Sequence, residues 1–270
     1  MENKTISILG CGWLGYPLAL NLQSSGWKVK GSSTSESKQK TLSQHQIEPY
    51  QINLNNSIED IPNSFFDSEY LVINIPPSKL DDALNQYKKL GSIIKSSPIQ
   101  KVLFISSTSA YDSDNRNAIE DDTETLPDNY NQTISFERIF QGLNKSVTIL
   151  RLAGLVGPRR HPGRFFATGK SLSNPNMPVN LIHLNDCIGI IKQILERDSW
   201  NEIYNGCADT HPSKREFYTK ATLKLGSTIN INESDAIVDG KKVSNKKIKS
   251  FLNYQFEYPD LLSMLDYDCF

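Results

Sequence analysis

A short β-branched run that leads directly into a glycine motif is the feature that most constrains this chain. Residues 6–9 read Ile-Ser-Ile-Leu, glycines follow in the spacing Gly-x-Gly-x-x-Gly, and an apolar helical pattern begins after them. In this context the first glycine permits a tight turn, the second lets backbone approach a pyrophosphate, and the third lets the helix pack on the sheet. The alternative is a strand-to-helix turn without a ligand. The pattern favours a dinucleotide-binding loop formed by Gly10, Cys11, Gly12, Trp13, Leu14 and Gly15.

The end of the second predicted strand favours NADP over NAD. NAD sites of this kind place a carboxylate about 20 residues after the glycine motif, whereas residues 32–35 read Ser-Ser-Thr-Ser. Small hydroxyls leave room for a phosphate, and Lys38 and Lys40 could supply positive charge. In the alternative interpretation Ser33 only caps the next helix and the lysines are solvated. We expect NADP, with NAD as the alternative, and contacts from Ser32, Ser33, Thr34 and Lys38.

Apolar strand candidates alternate with helical patterns in the first part of the chain. Strands are predicted at 5–9, 27–31, 50–52, 71–75, 101–105 and 147–151, and helices at 13–25, 35–45, 81–96 and 133–144. Such alternation predicts an α/β fold with a Rossmann-type, doubly wound parallel sheet. The carboxyl ends of the third and fourth long strands add Ile75, Pro76 and Ser106 to the expected cofactor contacts.

The second part of the chain has a looser pattern. Short strands at 179–183 and 202–205 flank a helix at 185–196, among segments punctuated by Gly and Pro. We expect a cofactor-binding core over 1–151 and a small, less regular C-terminal substrate lobe over 152–270, which packs on the same domain and adds a late sheet strand. The polar stretch 112–132 is predicted to be a loop.

Composition narrows the classes of partner. The 29 Lys and Arg residues nearly balance the 30 Asp and Glu residues, and the net charge of −1 argues against a nucleic-acid partner. The four cysteines form no CxxC pair and the four histidines are dispersed, so neither a metal site nor a disulfide framework is expected. Without a signal peptide or an apolar run of membrane-spanning length, we expect a cytoplasmic protein with no membrane partner.

Three further segments carry a family resemblance. Residues 106–111, Ser-Ser-Thr-Ser-Ala-Tyr, resemble the Ser-Ser-x-x-Val-Tyr-Gly segment of extended short-chain dehydrogenases, the family of nucleotide-sugar epimerases and dehydratases. Residues 151–158 resemble its Arg-x-x-x-x-x-Gly-Pro substrate loop, and residues 181–186 its His-x-x-Asp segment. The run 159–166 is most similar to the atypical, YeeZ-like branch. The resemblance implies hydride transfer, with Ser107 at the position of the hydroxyl that contacts the substrate oxygen.

One departure from the family pattern concerns proton transfer. The family uses Tyr-x-x-x-Lys on the helix before strand 147–151, where Lys lowers the Tyr pKa and holds the nicotinamide ribose. Alignment through residues 136–138 puts Asn129 at the Tyr position and Thr133 at the Lys position. A tyrosine without that lysine keeps a pKa of about 10, which suits it poorly as a base. Tyr111 and Tyr130 are the candidate proton donors, with packing and a place beside a helix cap as their structural alternatives.

The substrate is expected to be a small anion. A basic run follows the Gly157-Pro158 turn, and a guanidinium there could clamp a phosphate or carboxylate; the alternative is a solvated loop. The expected substrate contacts are Arg159, Arg160, His161 and Arg164.

Three hypotheses for function follow. The first is an NAD(P)-dependent oxidoreductase or epimerase/dehydratase-like enzyme that acts on a small polar or nucleotide-sugar-like substrate. The second is a non-catalytic NADP-binding or sensing protein of the same fold. The third, from the resemblance of residues 10–17 to 3-hydroxyacid dehydrogenases, is disfavoured because the C-terminal half is mixed and not all-helical. The family resemblance also implies a possible homodimer.

Overall fold

The computed structural model describes residues 4–56, 58–114, 116–166, 169–233 and 240–270. Its strands are β1 Thr5–Leu9, β2 Lys28–Ser33, β3 Glu48–Gln51, β4 Tyr70–Ile73, β5 Lys101–Ser107, β6 Asn117–Ala118, β7 Ser146–Leu152, β8 Gly154–Val156, β9 Ser171–Leu172, β10 Leu181–His183, β11 Ile203–Gly206, β12 Asn230–Ile231 and β13 Lys242–Val243. Its helices are α1 Gly15–Ser24, α2 Glu36–Gln44, α3 Ala83–Ser96, α4 Gln132–Gln141, α5 Leu184–Glu196, α6 Lys214–Leu223, α7 Lys246–Phe251 and α8 Leu261–Met264.

The chain divides into two compact units. The first comprises the residues up to Ser106 together with Leu126–Leu150 and Ile194–Ile203, and the second comprises Ser107–Thr125, Arg151–Gln193 and Tyr204–Phe270. The chain passes from the first unit to the second within β5, within β7 and again within β11.

A seven-stranded sheet in the order β11-β7-β5-β4-β1-β2-β3 is the frame of the first unit. The pairs β1–β2, β1–β4, β2–β3 and β4–β5 are parallel. The chain builds outward from β1 through β2 to β3, then returns to add β4 on the other side of β1. The point where the strand order reverses therefore lies between β1 and β4, which is where such sheets bind ligands. The predicted α/β fold with a Rossmann-type sheet is confirmed.

The observed strand ends differ from the predicted ones in two places. Strand β2 was predicted to end at residue 31, but Ser32 and Ser33 continue it because they pair with Tyr50 and Gln51 of β3. Strand β4 ends at Ile73, two residues earlier than predicted, and the Asn74 N–H makes the last ladder hydrogen bond, to the carbonyl of Leu9 at the end of β1 at 2.9 Å. Both differences place polar side chains beside the glycine loop.

Apolar faces of the helices cover the sheet of the first unit. In α3, Tyr87, Leu90 and Ile94 recur at helical spacing and are fully buried. Tyr87 stacks edge-on against Phe136 of α4 with ring centroids 5.0 Å apart. Burial of each such side chain contributes roughly 1.5–3 kcal/mol. These contacts fix α4 against β5, which positions the polar residues at the end of that strand.

The second unit has short paired strands and its own core. Strands β8 and β10, β9 and β12, and β6 and β13 form three parallel pairs of two or three residues each. The core contains Val156, Leu181, Phe217, Leu261 and Met264. The stretch predicted as a loop, 112–132, contains the two residues of β6 and a 3-10 turn at Glu120–Thr123. In the part of the chain that the structure describes, no helix has both the length and the apolar character needed to span a membrane. The cytoplasmic location stays a prediction.

A steric contact between Cys11 and Gly31 gives a prediction about stability. A Cβ at Gly31 would lie 2.8 Å from the Cys11 Sγ and 3.0 Å from an Ile47 methyl carbon. Gly31→Ala should therefore lower the free energy of unfolding by about 1–3 kcal/mol, the usual cost of overpacking. In the background of Cys11→Ala, which removes the nearer atom, the same substitution should cost less by about 1 kcal/mol in a double-mutant cycle. Urea denaturation of the four proteins measures both values, and additive costs would contradict the contact.

Candidate functional site

The glycine loop after β1 is shaped by contacts that leave no room for side chains at two positions. Gly10 has φ +105°, and a Cβ there would lie 2.7 Å from the Asn74 carbonyl oxygen. A Cβ at Gly15 would lie 2.2 Å from the Gly10 carbonyl oxygen, well inside any allowed contact. The Asn74 amide donates to that same oxygen at 3.1 Å. The loop and the start of α1 are thus held together by backbone-close packing at the reversal point of the sheet.

Gly12 is different, because no contact among the described residues requires a glycine there. It is exposed, it has no φ in the left-handed region, and nothing lies within 4 Å of an ideal Cβ. The space in front of its backbone is therefore open, as a bound pyrophosphate would need. Two of the three glycines serve the fold, and the third leaves a cradle that a side chain would fill.

The N-terminus of α1 also has no cap from the protein. Helices α2, α3, α4 and α6 begin with a Ser, Asp or Asn whose side chain accepts a backbone N–H. Helix α1 instead has Leu14 at its N-cap, without a side-chain cap hydrogen bond, and no acidic residue in its first turn. Leu14 is buried and Trp13 is half-buried. The positive end of the α1 dipole thus lies beside the open space at Gly12, a combination that suits an anion.

The predicted contacts at the end of β2 have two different roles. The Ser32 hydroxyl accepts the Gly10 N–H at 2.8 Å, and the Ser32 carbonyl accepts the Cys11 N–H at 2.8 Å, so this residue fastens the glycine loop. The Ser33 hydroxyl accepts the Ser35 N–H at 3.3 Å. Ser35, and not Ser33, caps α2, so the structural alternative proposed for Ser33 is wrong. Thr34 is exposed.

Lys38 and Lys40 lie in different electrostatic surroundings. Burial raises the pKa of the Cys11 thiol to about 12, and the nearby Lys38 ammonium is among the groups that oppose this rise. The charge of Lys38 therefore acts on the glycine loop itself. Lys40 pairs with Glu36 at 3.1 Å, with both side chains about three-quarters exposed. Lys38 therefore stays the candidate contact for a cofactor phosphate.

The residues that follow β4 lie next to the glycine loop. Ile75 packs near Gly10, since its Cγ1 lies 3.0 Å from an ideal Cβ at that glycine, and its carbonyl accepts the Tyr87 hydroxyl at 2.6 Å. Pro76 is exposed. Asn74, which joins this segment to the glycine loop, was not predicted. Its amide partner is 64 residues away in the sequence, and only the order of the strands brings the two together.

Ser106 at the end of β5 pairs with a buried carboxylate. Its hydroxyl donates to Glu137 Oε1 at 2.5 Å, and Glu137 is 1% exposed on α4. Glu137 entered the sequence comparison only as an alignment marker. Its position as the carboxylate beside the β5 end was not predicted.

Tyr111 is part of a buried polar cluster in the second unit. Its hydroxyl donates to Asn205 Oδ1 at 2.7 Å and accepts from the Arg151 guanidinium at 2.8 Å, and Arg151 also donates to Thr123 Oγ1 at 2.8 Å. The Asn205 N–H donates to Glu120 at 2.8 Å. Burial raises the Tyr111 pKa to about 12, although Arg151 opposes this. The Tyr111 hydroxyl thus has two buried polar partners, and its catalytic role stays a prediction.

The other two candidate catalytic hydroxyls are exposed. Ser107 is the last residue of β5, and its Oγ accepts the Ser109 N–H at 3.1 Å. Tyr130 is 41% exposed and lies two residues before α4, so it is not on the helix. Arg138 of α4 pairs with Asp128 at 3.3 Å. No lysine occupies the helical position expected from the family pattern, since Thr133 stands there.

The basic run begins on the loop after β8 and ends with Arg164 inside a 3-10 turn at Pro162–Phe165. Arg159, Arg160 and Arg164 are exposed. Arg159 has φ +66°, and the Arg160 N–H donates to the Gly157 carbonyl at 2.8 Å, so Arg159 occupies the turn position that usually holds glycine. His161 caps the 3-10 turn through its Nδ1, which accepts the Gly163 N–H at 3.1 Å, and its ring packs edge-on against Phe270.

The His-x-x-Asp segment holds the C-terminal residues in place. Asp186 is fully buried and accepts from the Tyr254 hydroxyl at 2.9 Å and from the N–H groups of Glu257 and Tyr258 at 2.7 and 3.1 Å. His183 Nδ1 accepts the Asn185 N–H at 3.2 Å, which leaves Nε2–H to donate to the Cys269 carbonyl at 3.1 Å. Both residues are structural. Among the described residues, no three His, Cys, Asp or Glu side chains are grouped as metal ligands.

Sequence comparison relates the chain to one curated protein over nearly its full length. It is 34% identical over 273 residues to "Protein YeeZ" of Escherichia coli K12, covering 97% of this chain and 98% of that protein. The family model described as the NAD binding domain of 6-phosphogluconate dehydrogenase matches residues 5–125.

Solved structures with the same fold include several epimerases. A putative NAD-dependent epimerase/dehydratase from Methylobacillus flagellatus covers 98% of this chain and 100% of its own, with TM-score 0.74 and 21% identity. UDP-glucuronic acid 4-epimerase from Bacillus cereus, in complex with UDP-glucuronic acid and NAD, covers 97% and 96%, with TM-score 0.73 and 17% identity. The human epimerase family protein SDR39U1 with NADPH covers 97% of each chain, with TM-score 0.68 and 15% identity. At these identities the likeness concerns the fold.

The environment of His183 gives a prediction about pH. Burial lowers its pKa below the ordinary value of 6.5, and burial likewise lowers the pKa values of His161 and His211. The unfolded chain then binds protons more readily, so the stabilisation is complete above pH 6.5 and is lost as pH falls below it. The free energy of unfolding should decrease from pH 7 to pH 5.5, and it should decrease less steeply in His183→Gln. His45→Gln, at an exposed histidine, is the control. An unchanged slope in His183→Gln would argue against this assignment.

Proposed function

This chain belongs to the family of Protein YeeZ, and we propose that it is an NADP-binding oxidoreductase of the epimerase/dehydratase type. It acts by hydride transfer on a small, anionic, nucleotide-sugar-like substrate. Both the matched family model and the similar solved structures indicate an NAD(P)-binding fold. The choice of NADP, the substrate class and the individual residue roles are the content of the proposal.

The open backbone at Gly12 is the observation that carries the proposal. The protein's own packing explains Gly10 and Gly15, but it gives no reason for a glycine at position 12. A pyrophosphate beside Gly12, at the uncapped N-terminus of α1, supplies that reason and the missing cap together. The residues present therefore fit a dinucleotide.

Two features of the β2 end support NADP. No carboxylate is present among residues 32–35 to bind both hydroxyls of an adenosine ribose. The Lys38 ammonium acts on the glycine loop and could pair with a 2′-phosphate. When bound, the cofactor accepts or donates a hydride at its nicotinamide ring. Ser32 holds the glycine loop that binds its pyrophosphate, and Ser33, Thr34 and Lys38 surround the phosphate-bearing ribose.

The exposed arginines support an anionic substrate. Arg159 adopts a left-handed conformation that costs an arginine about 1–2 kcal/mol relative to an ordinary backbone. Such strain is typical of binding sites, where a side chain must be aimed in a particular direction. Together with Arg160 and Arg164, it would bind a phosphate or carboxylate group of the substrate. His161 would support the loop through its hydrogen bond to Gly163.

The proton-transfer step is assigned to hydroxyls in the proposal. Ser107 is exposed and would orient the reacting oxygen of the substrate. Of the two candidate tyrosines, Tyr130 is the exposed one and would be the proton donor. Tyr111 is the alternative, and its hydroxyl would first have to leave its partners Arg151 and Asn205.

The second candidate function is a non-catalytic NADP sensor. It is favoured by one observation, the absence of the lysine that would lower a tyrosine pKa on α4. Turnover of any substrate with consumption or production of NADPH would exclude it.

Cofactor titration tests the proposed site. We expect micromolar binding of NADPH, followed by nicotinamide fluorescence, and weaker binding of NADH. Gly12→Asp should abolish binding of both because it fills the cradle with a like charge. Lys38→Ala should weaken NADPH binding by about tenfold, the usual worth of one charged contact, and leave NADH binding unchanged. Lys40→Ala is the matched control and should change neither value. Equal behaviour of wild type and Gly12→Asp would refute the site.

Arg159→Gly tests the strained arginine through two opposite effects. Glycine relieves the left-handed conformation, so the free energy of unfolding should rise by about 0.5–1 kcal/mol after the entropy cost of glycine. Binding of UDP-glucuronic acid, used as an anionic probe in calorimetry, should weaken. Arg164→Gly is the control in which relief of strain is not expected, because that residue is not among those with positive φ. A more stable variant with unchanged probe binding would remove Arg159 from the substrate site.

A further inference from the structure

We propose that Glu137, held by Ser106, forms an anionic end of the nicotinamide site and makes the protein favour the oxidised cofactor over the reduced one. This inference rests on the proposed cofactor site, since it concerns the second half of the same ligand. It assigns a function to a buried carboxylate that the proposed reaction does not otherwise use.

Packing of α4 holds the Ser106–Glu137 pair in place. Glu137 lies on the buried face of α4, between Phe136 and Phe140, which are packed into the core of the first unit. The Ser106 hydroxyl donates to its Oε1 at 2.5 Å. The next residue on the helix, Arg138, directs its guanidinium to Asp128 at 3.3 Å and to Gln141 at 3.0 Å.

The order of the strands puts this pair where the nicotinamide half must lie. The adenosine ribose is assigned to the end of β2, on one side of β1, and the pyrophosphate to the loop after β1. An extended dinucleotide would then continue to the other side of β1, where β4 and β5 follow in the sheet. Neighbouring strands are about 4.8 Å apart, so the end of β5 is roughly 10 Å from β1. Ser106 is at the carboxyl end of β5, in the same unit as the glycine loop.

Charge then distinguishes the two redox states of the ligand. The oxidised nicotinamide ring is a cation and the reduced ring is neutral, whereas the remainder of the molecule is the same in both. A buried carboxylate near the ring interacts with the cation through a medium of low polarity and therefore favours the oxidised state. A site with this preference holds the form of the cofactor that accepts a hydride and releases the form that carries one.

Glu137→Gln isolates the charge. The glutamine keeps the shape of the side chain and an oxygen that accepts from Ser106, but it is neutral. We expect the affinity for NADP⁺ to fall by about tenfold relative to the affinity for NADPH. The affinity for adenosine 2′,5′-bisphosphate, which lacks the nicotinamide half, should not change. Dissociation constants are measured by calorimetry on the full chain for all three ligands.

Glu69→Gln is the matched control. It removes one carboxylate charge in the same unit. However, Glu69 precedes β4 and pairs with Lys101, the first residue of β5, at 3.1 Å, so it lies at the amino ends of the strands. Its ratio of NADP⁺ to NADPH affinity should equal that of the wild type. An unchanged ratio in Glu137→Gln, with all three ligands still bound, would overturn the inference and leave the proposed function intact. Absence of binding by the wild type would instead overturn the proposed function.

Ser106→Ala keeps the inference testable if Glu137→Gln does not fold. It removes the hydroxyl that partly neutralises the carboxylate and leaves the charge in place. The ratio of NADP⁺ to NADPH affinity should stay the same or rise, and a fall would overturn the inference.

Discussion

The close approach of Gly15 to the Gly10 carbonyl is the contact on which the first unit depends. No side chain fits between them, and the Asn74 amide donates to the same carbonyl from the end of β4. The contact joins three elements of the fold, namely the loop after β1, the start of α1 and the turn after β4. Because these meet where the strand order reverses, the local requirement for glycine also creates the opening of the site. Gly12, between these two glycines, has no such close contact, so the fold leaves its backbone accessible.

Polar groups around this opening separate into those that build the loop and those that face outward. Ser32 is committed to the Gly10 N–H and Asn74 to the Gly10 carbonyl, so both are structural supports. The start of α1 and Lys38 present positive charge with no acidic residue in the first turn of the helix. A site that attracts anions can exist in a chain of net charge −1 because the charge is local. A net charge near zero argues against binding of a large polyanion such as a nucleic acid. It does not argue against binding of a single phosphate group at a locally positive site.

The sequence predicts the sheet well and the polar contacts less well. Strands such as β1 and β7 are within a residue of their predicted bounds because runs rich in β-branched and other apolar residues indicate buried strands. The end of β2 was misplaced because it depends on pairing with β3, which lies elsewhere in the sequence. The burial of Tyr111 was only one of two alternatives, since its partners Arg151 and Asn205 are 40 and 94 residues away. Local patterns carry no information about such distant pairings.

The difference between local patterns and contacts of distant residues also separates the two candidate functions. Hydride transfer needs a bound cofactor held at its pyrophosphate, and the glycine motif that predicts such a site is a local pattern, although Ser32 and Asn74 also support the loop. Proton transfer needs a group whose pKa is matched to its task, and this depends on charges that distant segments bring near it. Here Tyr111 is buried beside Arg151 with its pKa raised to about 12, and Thr133 replaces the expected lysine. The two requirements therefore rest on different parts of the chain. For the proposed hydride transfer, the substrate itself or an exposed hydroxyl such as that of Ser107 would have to supply the route for the proton.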